Sequence, residues 1–135
     1  MNRRLMTTET GMDIERRADL ARTLLAVLRN WGLSAEQQIN LLGLPEGTAS
    51  RSINKFSYGT PFPDDIESLT RANYLLSIQN AVDSLFPHNT TAANYWMTTP
   101  SLNFDNHTPL EIMLNEGVEG MKRVLNYLNG VEDWG

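Results

Sequence analysis

The chain has 135 residues and a net charge of −5, which is enough for one domain or two very small ones. It has no cysteine, which excludes disulfides and thiolate metal sites, and neither His88 nor His107 lies in a metal-binding spacing. No long apolar run indicates a signal peptide or a transmembrane helix. We therefore expect a cytoplasmic protein that binds neither a metal nor a cofactor.

The charges are unevenly distributed along the chain. Residues 1–60 hold 8 basic and 6 acidic residues, whereas residues 61–135 hold 3 basic and 10 acidic residues. The front half is therefore compatible with a polyanionic partner, and the back half would repel one. An uneven solvated surface explains the same counts, and both interpretations stay open.

Almost every periodic segment predicts a helix, so the expected fold class is all-α. Residues 1–12 are polar and rich in threonine, and we expect them to be mobile. Residues 13–31 place their leucines on one broad face and predict a first helix that ends at Gly32. Ser34 and Gln37 form a capping box for a second helix.

The segment 34–56 has the outline of a helix-turn-helix. Gly43 permits a tight turn after the second helix, and Thr48 is expected to cap a third helix. The side chains expected to contact DNA from this third helix are Thr48, Ser50, Arg51, Asn54 and Lys55. A plain three-helix core with solvated charges explains the same pattern. Ser52 at an inward position weakens the helix-turn-helix interpretation.

Four further helices are expected in the back half. A long helix is predicted over 64–86, a short one around 91–97, a third after residue 107 and a last one over 118–129. The third has a complete start signal, since Thr108 can cap it, Pro109 fits its first position and Glu111 can reach back to the cap. Gly117 is expected to end this helix and Gly130 the last one.

Residues 85–128 resemble the toxin-binding domain of the MbcA/ParS/Xre antitoxins, which pair with RES-domain toxins. The shared pattern is a tryptophan, a Thr-Pro loop, an aromatic residue, a Thr-Pro-Leu helix start, an apolar pair, a glycine and a final helix. The residues that carry it are Trp96, Thr99, Pro100, Phe104, Thr108, Pro109, Leu110, Met113, Leu114, Gly117, Val124 and Leu128. The resemblance extends more weakly to about residue 20.

The resemblance implies an all-helical antitoxin with an Xre-like helix-turn-helix unit over 13–60 and a toxin-binding and dimerisation domain over 61–135. It implies that the chain neutralises a RES-domain toxin encoded by an adjacent gene, represses its own operon by binding operator DNA, and forms a homodimer within a larger complex. RES toxins act on NAD, by degrading it or by using it for ADP-ribosylation.

Two groups of residues are expected to contact the toxin. Trp96, Met97 and Met121 offer an aromatic and adaptable apolar surface, although helical spacing favours a core role for each methionine taken singly and allows one for Trp96. The second group is the segment after Gly130, which comprises Val131, Glu132, Asp133, Trp134 and Gly135.

An inhibitory plug is one interpretation of this last segment. An indole can stack where the base of NAD would bind, and the acidic side chains and the terminal carboxylate can meet the cations that hold phosphates. The antitoxins place C-terminal elements at the NAD site of the toxin, which agrees with this interpretation. The alternative is that Trp134 folds back onto its own domain.

Two other function classes compete with an antitoxin. A stand-alone helix-turn-helix regulator would need no acidic, Trp-bearing segment. An enzyme is poorly supported, because the chain has no Gly-rich phosphate loop and no His-carboxylate-Ser spacing. Asp64, Asp65 and Glu67 resemble a carboxylate cluster, but a helix N-terminus explains them without catalysis.

Overall fold

The computed structural model describes residues 13–45 and 47–134, with side chains described as far as Gly130. Residues 1–12, expected to be mobile, lie outside the described residues. The seven α-helices of the described part are α1 (Ile14–Asn30), α2 (Ala35–Leu42), α3 (Ser50–Lys55), α4 (Ile66–Leu85), α5 (Thr90–Met97), α6 (Pro109–Glu116) and α7 (Val118–Trp134). Single 3₁₀ turns occupy Phe56–Tyr58 and Leu102–Phe104. The all-α fold is confirmed.

The chain forms two compact units. The first comprises residues 13–29 and Leu33–Ala72, and the second comprises Asn30–Gly32 and residues 73–134. The boundary falls inside α4, after the predicted boundary at residue 60. The loop before α4 belongs to the first unit, because Phe62 in this loop is fully buried and bonded to α1. The Phe62 amide donates to the carbonyl of Arg17, and the Arg17 guanidinium donates to the carbonyl of Phe62.

The core of the first unit is built from leucines of α1 and α2 and from aromatic residues after α3. Its fully or almost fully buried members include Leu24, Leu25, Leu28, Leu41, Leu42, Ile53 and Phe62. The rings of Phe56 and Phe62 are 6.0 Å apart. Both rings are buried, and Ile53 is the residue of α3 that is buried with them in the core of this unit.

The core of the second unit comes from α4 to α7. Its fully or almost fully buried members include Leu75, Ile78, Val82, Met97, Ile112, Met113, Met121, Val124 and Leu128. The indole Nε1 of Trp31 donates to Oε1 of Gln79 at 2.9 Å, which satisfies the polar group of a buried ring.

Both expected capping boxes are confirmed. The Ser34 hydroxyl accepts a hydrogen bond from the Gln37 amide, and the Gln37 side chain accepts one from the Ser34 amide. Thr108 and Glu111 make the same reciprocal pair at the start of α6, at 2.9 and 2.8 Å, with Pro109 at the first helical position. Each box satisfies two backbone donors at a helix N-terminus.

Two expected helix signals are wrong. The residue that caps α3 is Ala49, without a side-chain hydrogen bond, because the Thr48 hydroxyl donates to the carbonyl of Pro45 within the preceding turn. Gly130 does not end the last helix, since α7 continues to Trp134. A glycine inside a helix costs only about 1 kcal/mol relative to alanine, which a well-packed helix tolerates.

Candidate functional site

The outer face of α3 carries the polar side chains that the sequence analysis assigned to DNA. Ser50, Arg51, Asn54 and Lys55 are all exposed, while Ile53 is buried. Before this helix, Gly43 ends α2 in the left-handed conformation, with φ of 71°. The arrangement brings two cations and an amide to one exposed surface, which is the chemistry suited to phosphates and base edges.

Two further arginines, which no sequence pattern links to α3, contact this part of the first unit. The guanidinium of Arg29, at the end of α1, donates to the side-chain oxygen of Asn54 at 3.2 Å. The guanidinium of Arg71, in α4, donates to the carbonyls of Asn40 and Leu41 at 3.3 Å each. Both contacts join residues far apart in sequence, so no short-range pattern indicates them.

Arg71 stabilises the C-terminal end of α2. Its cationic group meets carbonyls of the last turn, which carry the negative end of the helix dipole, and the Asn40 carbonyl also accepts from the Gly43 amide. A Cβ at Gly43 would lie 2.7 Å from Cδ and Nε of Arg71, so the absence of a side chain there gives the arginine room. The turn towards α3 is thereby held by a glycine and an arginine together.

Three aromatic rings form a cluster in the second unit. Trp96 of α5 stacks on Tyr127 of α7, with ring centroids 6.1 Å apart and planes 11° from parallel. Phe104 meets both rings edge-on, at 6.4 Å from Trp96 and 5.4 Å from Tyr127. The Asn103 side chain donates to the Tyr127 hydroxyl at 3.0 Å. The cluster therefore links α5, the loop after it and α7.

An open groove of about 540 Å³ lies beside this cluster. We call it the α5 groove, and its lining includes Phe86, Ala92, Tyr95, Trp96, Thr99 and Pro100. Tyr95 is 70% exposed, and nearby in sequence Leu102 is 85% exposed. Neighbouring apolar side chains that line one open groove, such as Tyr95, Trp96 and Pro100, form the kind of surface patch that can contact a partner.

A family model of the antitoxin Xre/MbcA/ParS C-terminal toxin-binding domain matches residues 81–133. The uncharacterized protein y4oB of Sinorhizobium fredii is 36% identical to this chain over 99 residues, which is 73% of each chain. The chain belongs to the Xre/MbcA/ParS antitoxin family. As an antitoxin it carries a toxin-binding domain, and that domain implies a toxin partner.

The match to the toxin-binding domain covers the end of α4, all of α5 and α6, and α7 to residue 133. The α5 groove and the aromatic cluster of this antitoxin both lie inside the matched segment. Within the described residues, no helix is both long and apolar enough to cross a membrane.

The structure corrects the expected methionine surface. Met97 and Met121 are fully buried, as is Met113, so these side chains belong to the core of the toxin-binding domain and not to an exposed contact surface. The physical reason is that both lie on the inward faces of their helices, where flexible thioether side chains fill space between elements. Trp96 is half-buried and lines the α5 groove, so it remains available to a partner.

The end of the antitoxin also differs from its expected form. The backbone of residues 131–134 continues α7, so this segment is a helical turn and not an extended tail after a stop at Gly130. The side chains of Val131, Glu132, Asp133 and Trp134, and all of Gly135, lie outside the described residues. Their contact with a toxin stays a prediction, as does the contact of α3 with DNA.

Proposed function

We propose that this antitoxin neutralises a RES-domain toxin that consumes NAD, and that it represses its own operon as a homodimer. The observation that carries the proposal is the match of residues 81–133 to the antitoxin toxin-binding domain. The RES partner is supported by the resemblance of residues 85–128 to antitoxins that pair with RES toxins. In this proposal the chain acts by binding and not by catalysis.

Inhibition is assigned to the end of α7. Leu128 is the last buried residue among those of α7 whose side chains are described, and α7 continues for six residues beyond it. Trp134 supplies a ring that can stack in a site for the base of NAD, and Glu132 and Asp133 supply charges for the cations that bind its phosphates. The end of α7 would enter the toxin cleft as a helical turn.

DNA binding is assigned to α3 of the first unit. Arg51 and Lys55 are exposed there, and Asn54 lies between them with its carbonyl oxygen held by Arg29. A helix of six residues offers few contacts, and phosphate contacts dominate affinity for DNA. A homodimer would double the contacts and would bind two half-sites related by its two-fold symmetry.

Co-expression with the neighbouring RES-domain protein tests the neutralisation. Cellular NAD is expected to fall with the toxin alone and to be preserved when the antitoxin is present. An antitoxin truncated after Gly130 is expected to bind the toxin but to inhibit it less, and Trp134→Ala is expected to show part of this loss, since buried interface tryptophans often contribute about 2 kcal/mol or more.

The assay for the truncated protein is NAD consumption by the assembled complex, with circular dichroism as the control for helical content. Unchanged NAD loss in cells that contain folded, full-length antitoxin would refute the neutralisation proposal. A fully inhibited complex with the truncated antitoxin would refute only the role of the end of α7. Unfolding of the truncated protein would show that Trp134 belongs to its own domain.

A further inference from the structure

The α5 groove lies in a segment that contains no acidic residue, lysine or arginine. Asp83 and Asp105 enclose 21 consecutive residues, 84–104, without a single Asp, Glu, Lys or Arg. Charged residues make up 20% of the whole chain, and the half that contains this segment is strongly acidic. The proportion of charged residues in this segment is therefore much lower than in the rest of the chain.

Two large side chains with apolar surface are exposed in this segment. Tyr95 projects from α5 with 70% of its surface exposed, and Leu102 stands 85% exposed in the 3₁₀ turn. Trp96 and Phe86 line the groove, and Pro100 adds a rigid apolar wall. The centre of a protein interface is depleted in charged residues and enriched in aromatic ones, which is the composition found here.

The floor of the groove is firmly held. Asn89 caps α5 by accepting a hydrogen bond from the Ala92 amide at 3.0 Å. The ring of Trp96 packs against the rings of both Tyr127 and Phe104. After α5, Ser101 pairs with His107 in an isolated antiparallel bridge, which closes the loop that carries Leu102. A partner would meet the ring of Trp96, which needs little ordering on binding.

We propose that the toxin seats an uncharged, apolar segment in the α5 groove, with Tyr95 and Trp96 as its principal contacts. The inference rests on the proposed function, because the occupant is the RES-domain toxin named there. The toxin is favoured as occupant because the whole groove lies inside the toxin-binding match and because an uncharged lining suits an uncharged guest. The groove supplies affinity, whereas the end of α7 supplies inhibition.

Two substitutions in the full-length antitoxin test the groove. Ala92→Glu introduces a carboxylate into the lining while it keeps a strong helix former in α5. Tyr95→Ala removes an exposed ring and leaves the described core unchanged. Each is expected to weaken binding to the neighbouring RES-domain toxin roughly 30-fold, as for the loss of one dominant interface residue.

Matched controls come from the first unit. Ala26→Glu places the same carboxylate on an exposed position of α1, and Tyr58→Ala removes a tyrosine that is 88% exposed. Both are expected to keep wild-type affinity for the toxin. Affinities are measured by titration calorimetry, and light scattering follows the oligomeric state of each antitoxin alone. If circular dichroism shows that Ala92→Glu lowers the helical content, the toxin affinity of Tyr95→Ala alone tests the inference.

The outcomes are distinct. Weaker toxin binding in the groove variants, with intact controls and unchanged oligomeric state, supports the inference. Wild-type affinity in both groove variants overturns it while the proposed function stands. Loss of self-association with unchanged toxin affinity also overturns it, because the occupant is then a second copy of the chain. If the wild-type antitoxin fails to bind the RES-domain toxin, the proposed function and this inference fail together.

Discussion

Alanine at Gly120 should separate two helices that now touch through their backbones. A Cβ at this position of α7 would lie 2.3 Å from the carbonyl oxygen of Ile112 in α6, and 2.9 Å from the carbonyl carbon. An ordinary contact between carbon and a carbonyl oxygen is about 3.3 Å or longer, so the two helices must move apart by about 1 Å. Because the clashing atoms belong to the backbone of Ile112, no side-chain rotation can relieve the contact.

The stability change results from two opposing terms. Overpacking of a well-packed core costs roughly 1–3 kcal/mol, and a clash with backbone belongs at the upper end of this range. Alanine recovers about 1 kcal/mol of helix propensity, so the net loss in the free energy of unfolding should be about 2 kcal/mol. Ile112, Met113 and Met121 are buried on the same two helices and would pack less closely as these separate.

Gly130→Ala is the matched control, because it makes the same substitution in the same helix. A Cβ at Gly130 would meet no atom within 4 Å, so only the propensity term remains and the variant should gain about 0.5–1 kcal/mol. Urea denaturation followed by circular dichroism measures both. A Gly120→Ala variant as stable as wild type would refute the close approach of α6 and α7. A destabilised Gly130→Ala variant would refute the continuation of α7 past this residue.

Three further predictions concern the caps and the first unit. Thr108→Ala should cost about 1 kcal/mol of stability because the capping box is broken, whereas Thr48→Ala, which removes no cap, should cost less than about 0.5 kcal/mol; equal values in urea denaturation would contradict this. Gly43→Ala should cost about 1–2 kcal/mol in the same assay, because its φ of 71° disfavours alanine and its Cβ would meet Arg71, and an unchanged midpoint would count against that turn. Arg51→Ala with Lys55→Ala should weaken binding to operator DNA by about 1–3 kcal/mol for each base that is no longer read, with toxin binding unchanged; full operator affinity in an anisotropy titration would show that α3 is not the reading helix.

The starts of α2 and α6 were predictable because their signals are local. A capping box needs only two side chains three residues apart, and both members of each pair are visible in the sequence. The same reasoning failed at Thr48, where a competing local bond exists. The turn before α3 places the Pro45 carbonyl within reach of the Thr48 hydroxyl and amide, and the hydroxyl bonds there instead of capping α3.

The methionines and the arginines show what local patterns cannot supply. Helical spacing predicts that Met97 and Met121 share faces with apolar neighbours, but only the packing of α5 to α7 makes those faces internal. The bond from Arg29 to Asn54 spans 25 residues, and the bonds from Arg71 to α2 span about 30. Such contacts form only when distant helices pack against each other. No short motif in the sequence indicates which helices will do so.

Three glycines near the C-terminus illustrate why a residue type is a weak guide to its role. Gly117 has φ of 65° and ψ of −134°, a conformation that side chains disfavour, and its amide closes α6 on the Met113 carbonyl. Gly120 is helical and is needed for its lack of volume against Ile112. Gly130 is helical with open space around it and is needed for neither purpose. In the sequence, Gly117 and Gly130 both resemble helix stops, and they differ in the path that the chain takes beyond them. After Gly117 the chain turns to bring α7 onto α6, whereas α7 continues through Gly130 to Trp134 without a turn.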